Sequence, residues 1–151
     1  MTSDMPILKY YSKHNMPFEK ATSGSAGIDI RYADESMERL VIRPKQTKLV
    51  HTGIYLDIPD GYYVELFIRS SLAKKREARL ANSVGIIDSD YTEEVGVLIQ
   101  NMSSVKDLVI EHGERIAQCI LKKSVDYIPI RVYKKPADKG HGKGFGSTGR
   151  H

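Results

Sequence analysis

Apolar and polar positions alternate with a period of two along most of this chain. Leu40 and Ile42 alternate with Arg39 and Arg43; Ile54, Leu56 and Ile58 with Tyr55 and Asp57; Tyr62, Val64, Leu66 and Ile68 with Tyr63, Glu65 and Phe67; Ile128, Ile130 and Val132 with Pro129, Arg131 and Tyr133. Successive side chains of a strand point to opposite faces, so each run predicts a strand with one buried face. Denser apolar runs at Val95 to Ile99 and Ile116 to Leu121 predict central strands covered on both faces. Between the second and third alternating runs, Pro59-Asp60-Gly61 offers a preset φ and a residue tolerant of positive φ, which predicts a hairpin. Pro129 has no N–H for a ladder and places the last run at a sheet edge.

Only Leu72 to Ala81 reads as helix. It is rich in strong helix formers, lacks glycine and β-branched residues, and has Ser70 or Ser71 as a cap. Many short strands with one short helix predict an all-β fold, a closed or doubled antiparallel sheet of the barrel or jelly-roll kind. The 151 residues suffice for one domain's core, with no internal repeat and no linker before about Pro136. The expected organisation is a barrel over residues 1–135 and a glycine-rich arm over 136–151.

Charge is unevenly placed. Lys and Arg exceed Asp and Glu by 23 to 19, and from Lys134 onward Lys134, Lys135, Lys139, Lys143 and Arg150 face only Asp138, which accounts for the whole surplus. A binder of polymeric nucleic acid would carry a basic stripe interleaved with aromatics through its folded body. The tail instead implies a small polyanion, and no nucleic acid polymer. The single cysteine, Cys119, excludes an intrachain disulfide and sits among apolar neighbours, which predicts a buried thiol without a redox task. The five histidines show no pair at ligand spacing, so any metal would be a hard ion held by oxygen. No run of eighteen apolar residues occurs, so no membrane association is expected, and the cytoplasm, or the nucleus of a eukaryotic cell, is the expected location.

Four segments carry candidate chemistry, each beside a plainer reading. Gly140 to Gly149 holds five of the twelve glycines with Phe145, Ser147 and Thr148; its backbone can approach an anion, or it is simply a mobile terminus. Arg69-Ser70-Ser71 stands where a strand gives way to a helix, an anion site or an ordinary serine cap. Asp88 follows the apolar run Ile86-Ile87, with Tyr91 three residues on; a rim carboxylate can orient and deprotonate water, and an Asp-rich turn looks the same. Gly113-Glu-Arg-Ile-Ala-Gln118 opens a buried strand.

In order, these segments resemble the motifs of the trimeric dUTPases, deoxyuridine triphosphatases. Ala26-Gly-Ile-Asp-Ile30, Arg69-Ser-Ser-Leu-Ala73, Asn82-Ser-Val-Gly-Ile-Ile-Asp-Ser-Asp-Tyr91, Gly113-Glu-Arg-Ile-Ala-Gln118 and Gly144-Phe-Gly-Ser-Thr-Gly149 correspond to five motifs spread over about residues 20–149. The resemblance implies a jelly-roll-like β-clip fold and a homotrimer with shared active sites. It also implies hydrolysis of dUTP to dUMP and pyrophosphate with Mg2+. Asp88 would be the general base acting on the water that attacks the α-phosphorus. Tyr91 would underlie the deoxyribose and exclude a 2′-hydroxyl; Asn82, Gly85, Ile86, Ile87 and Gly96 would read uracil. Arg69, Ser70, Ser71 and Gln118 would bind phosphates, and Asp29 would hold magnesium through water. Phe145 would stack on the base, with Gly146, Ser147 and Thr148 on the outer phosphates.

The chain departs from the family pattern at Ser71 and Glu93, both usually glycine, and at Gly140, usually arginine, for which Lys139 is the nearest substitute. The dCTP deaminases share the fold, but the glutamate they need for proton transfer corresponds here to Leu98. A regulatory module with the same pocket is the alternative from another class.

Overall fold

Two of the alternating runs bury side chains that their pattern assigns inward. Ile54, Leu56 and Ile58, and likewise Val64 and Leu66, are at most 3% exposed, while Tyr55, Tyr63 and Glu65 between them stay partly exposed. The structure, a computed structural model, describes residues 4–145. Its strands are β1 (Lys9–Ser12), β2 (Ile28–Arg31), β3 (Leu40–Ile42), β4 (Thr47–Val50), β5 (Ile54–Asp57), β6 (Tyr62–Ile68), β7 (Ala78–Leu80), β8 (Gly85–Ile87), β9 (Val97–Asn101), β10 (Leu108–Ile110) and β11 (Arg115–Lys123), with one helix, α1 (Ser70–Arg76).

All strand pairs are antiparallel, in sheets ordered β2-β11-β6-β8, β4-β9-β7, β1-β5 and β3-β10. These sheets enclose one core in which Ile30, Ile42, Val50, Val64, Ile99, Ile110 and Ile116 are fully buried. Burying each such side chain contributes about 1.5–3 kcal/mol. The fold is all-β, a jelly-roll-like barrel with one short helix. Cys119 lies in this core, 2% exposed, buried as expected, and burial pushes its thiol up to about 12.

Four local expectations are overturned. Pro59 to Gly61 does turn, with Gly61 at φ +82° and the Tyr62 N–H donating to the Pro59 carbonyl at 3.1 Å, but no hairpin results. β5 pairs with β1 and β6 with β11 and β8, so the turn carries the chain from one sheet to another. The helix is shorter than its composition predicts. It ends at Arg76 because Glu77 is left-handed (φ 52°, ψ 32°), and Ala78-Arg79-Leu80 joins β9 with Ala78 and Leu80 buried. Pairing along β9 overrides helix propensity there. Neither serine caps the helix: Arg69 is the cap residue, no side chain bonds the first turn, and Ser70 and Ser71 are exposed inside it. Finally, the run from Ile128 to Val132 forms no strand in the single chain, and Ile128 and Ile130 are 84% and 79% exposed.

Candidate active site

β8 is the outermost strand of its sheet, bonded only to β6. An edge strand leaves backbone donors and acceptors unpaired along its free side. Beside that edge lies a cavity of about 270 Å³ lined by Asn82, Gly85, Ile86, Ile87, Asp88, Tyr91 and Gly96, together with Leu49, Leu66, Glu94, Val95 and Leu98. Seven of the residues singled out from the sequence thus meet in one place. Glycine is required by close approach at two of them. A Cβ on Gly96 would stand 2.5 Å from Leu49 Cδ1, and one on Gly85 would stand 3.0 Å from Leu66 Cβ.

Asp88 and Tyr91 close the rim through a turn in which the Tyr91 N–H donates to the Asp88 carbonyl at 3.1 Å. Asp88 is exposed, so its carboxylate is open to solvent. Tyr91 is 42% exposed, and its hydroxyl donates to the Glu94 carbonyl at 2.7 Å. The Asp-rich turn and the rim carboxylate are therefore the same object.

A second group gathers on the other side of the same sheet order. In register, Asp29 on β2 faces Gln118 on β11, which faces Phe67 on β6, and Arg69 follows β6 with its N–H on the Ile116 carbonyl at 3.3 Å. Asp29 Oδ1 lies 3.5 Å from Arg69 Nε, and Oδ2 lies 3.4 Å from Arg115 Nη1. A Cβ on Gly27 would press on Gln118 Oε1 at 3.0 Å, so the glycine of that motif makes room for the glutamine. Arg115 lies inside the Gly113–Gln118 segment, where its neighbours in sequence reveal no partner for it. Only the antiparallel register shows that it reaches the acid at position 29.

Within one chain these two groups do not meet. Val64 pairs with Ile87 in antiparallel register, which puts Asp88 level with Tyr63. Arg69 is six positions further along, from 63 to 69, or about 20 Å at the usual rise of a strand. None of Asp29, Arg69, Ser70, Ser71 or Gln118 lines the cavity. Lys139 and Phe145 are exposed, Phe145 fully so, and touch neither group; Gly146, Ser147 and Thr148 lie outside the described residues.

Among the described residues no group of three His, Cys, Asp or Glu side chains could hold a metal ion by itself. Magnesium needs less than that when phosphates supply the remaining oxygens: one carboxylate reached through water is enough. Asp29, 19% exposed at its side chain and held only by long charge contacts, fits that role. No local pattern marks Glu94, Leu49, Leu66 or Val95 as cavity walls, because nothing but tertiary packing brings β4, β6 and β9 together around β8.

A family model described as dUTPase matches residues 14–149. Among curated proteins, a deoxyuridine 5′-triphosphate nucleotidohydrolase of Finegoldia magna is 37% identical over 145 residues, 94% of this chain and 98% of its own length. One from Brucella melitensis is 43% identical over 129 residues, 85% of this chain and 81% of its own. Among solved structures, the dUTPase of Streptococcus mutans aligns with a TM-score of 0.70 at 27% identity, over 81% of this chain and 98% of that one. With a family model spanning most of its length and relatives of this similarity, the chain belongs to the dUTPase family.

Proposed function

We infer that the protein is a dUTP diphosphatase, hydrolysing dUTP to dUMP and pyrophosphate. The observation that carries this reading is the cavity beside β8, where free backbone edge, an apolar wall, a rim carboxylate and a half-exposed phenol converge. Uracil presents two carbonyl acceptors flanking one N–H donor, a pattern that the unpaired amides and carbonyls of an edge strand match. Asn82 and the backbone of Gly85, Ile86, Ile87 and Gly96 are the readers. Tyr91 lies beneath the sugar and leaves no volume for a 2′-hydroxyl. Leu98 also lines the cavity, so the position where a deaminase needs a proton-carrying glutamate is filled by a side chain that carries none.

Asp88 orients a water and takes its proton as the oxygen attacks the α-phosphorus. The new P–O bond forms as the bond to the bridging oxygen breaks, and pyrophosphate leaves. Such a reaction asks mainly for positioning and for neutralised charge. Arg69, Ser70, Ser71 and Gln118 supply that for the phosphates, with Lys139 and the arm residues Phe145, Gly146, Ser147 and Thr148 closing over them. Magnesium, held near Asp29 through water, would neutralise charge on the phosphate oxygens.

The separation of about 20 Å between Asp88 and Arg69 supports a homotrimer in which one copy's cavity meets another copy's phosphate-binding group. The exposed apolar stretch Val125, Tyr127, Ile128, Ile130, Val132 and Tyr133 points the same way, since water is a poor neighbour for six such side chains. The division into a body over 1–135 and an arm over 136–151 then holds in the assembly, where the stretch is covered. The test is pyrophosphate release from dUTP against dCTP and UTP, with and without magnesium. Selective release from dUTP is expected; no turnover of dUTP, or ammonia from dCTP, overturns the reading.

A further inference from the structure

We infer that Glu94 and His51 are positioning residues for Tyr91, and that through it they set discrimination against a ribose 2′-hydroxyl; this rests on the reading above. Tyr91 is 42% exposed as a residue, so it is not held by packing alone. Its hydroxyl is tied to one acceptor, the Glu94 carbonyl, at 2.7 Å. The residue that carries this carbonyl is anchored by its own side chain and through its neighbour Val95. Glu94 Oε1 lies 2.6 Å from His51 Nδ1, and Oε2 accepts the Gly53 N–H at 3.1 Å. Glu94 bridges Tyr55 at the edge of β5. The Val95 N–H donates to the Ile54 carbonyl at 2.8 Å, and the buried Thr52 hydroxyl donates to the Val95 carbonyl at 2.6 Å.

Gly53 makes the anchor possible. It has φ +65°, and a Cβ there would stand 2.5 Å from His14 Cδ2, so any side chain at this position would be strained and would displace His14. Glu94 is also a wall between two spaces. It lines the nucleotide cavity and a neighbouring cavity of about 400 Å³ that holds His51, Lys13 and His14. His51 does not line the nucleotide cavity. Any effect of His51 on sugar selectivity must therefore pass through Glu94 to the phenol, which makes this histidine the diagnostic position.

The experiment compares kcat/KM for dUTP and UTP in the wild-type protein, in Tyr91→Phe, Glu94→Gln and His51→Ala, and in the double variant Tyr91→Phe/His51→Ala. Tyr91→Phe keeps the ring and removes only the tether; His51 is 53% exposed at its side chain, so its loss is compatible with folding. Each single change is expected to lower the dUTP to UTP preference by roughly three- to tenfold, the worth of one hydrogen bond. The change should appear mostly as improved kcat/KM for UTP, with kcat for dUTP moving less. His51→Ala should add little on top of Tyr91→Phe, because both act through one contact. An unchanged preference in His51→Ala and Glu94→Gln, or a fully additive double variant, overturns the inference while dUTP hydrolysis itself stands. A wild-type protein that does not hydrolyse dUTP overturns the reading beneath it.

Discussion

Asp88→Asn replaces one carboxylate oxygen by an amide and leaves the cavity walls untouched, which separates chemistry from binding. Turnover should fall by roughly 10²–10⁴-fold, the usual worth of a general base, with nucleotide affinity little changed in a calorimetric titration. A large loss of affinity would mean that position 88 holds the nucleotide instead. Asp34 tests the fold at the same scale. Burial pushes its pKa up, but donation from the Ser36 hydroxyl at 2.6 Å, the Tyr32 hydroxyl at 2.9 Å and the Ser36 N–H at 3.0 Å outweighs it, and the pKa lies below the usual value. A depressed folded-state pKa gives stability that is present above the unfolded carboxylate's pKa and lost as pH falls through the folded one. Asp34→Asn should therefore cost about 1 kcal/mol near pH 7, with its melting curves converging on those of the parent below about pH 4. A constant offset across that range in thermal scans would argue against the ionised acid.

At the scale of elements, the proposed glycine-rich arm is tested by removing it. From Lys122 to Lys143 every residue is exposed, and no strand follows β11 among the described residues. Ending the chain after Lys139 should leave the melting temperature within a few degrees and slow dUTP hydrolysis by roughly a hundredfold or more, because Phe145, Ser147 and Thr148 are gone. Unchanged kinetics in that variant would reduce the arm to a tail. The elements themselves were unevenly legible. β5 and β6 announce their inward faces through Leu56, Val64 and Leu66, since a period of two is a local property of the backbone. Residues 78–80 did not, because a three-residue alternation is too short to be told from helix until β9 lies beside it. The turn at 59–61 was legible as a turn, and its strands' partners were not.

The assembly makes the sharpest prediction for the whole molecule. If Asp88 of one copy serves a site whose Arg69 comes from another, chains carrying Asp88→Asn and chains carrying Arg69→Ala, each inactive alone, should recover activity when refolded together. Random mixing into trimers would restore about a quarter of the sites, read as dUTP hydrolysis alongside the solution mass. No recovery in verified mixed trimers would place both residues in one copy's site.

At this scale the division of labour between sequence and structure is clear. Alternation, glycine placement and the order of short motifs determined an all-β fold and a buried Cys119, and singled out the residues of which seven line one cavity, because each of these is written in neighbouring positions. Tertiary structure alone decided which strands pair, that Asp29 meets Arg69 and Arg115, that Glu94 walls the cavity, and that Asp88 and Arg69 stand at opposite ends of β6. Those facts depend on contacts between positions far apart along the chain, where the entropy of closing each loop is repaid only by the sheet as a whole.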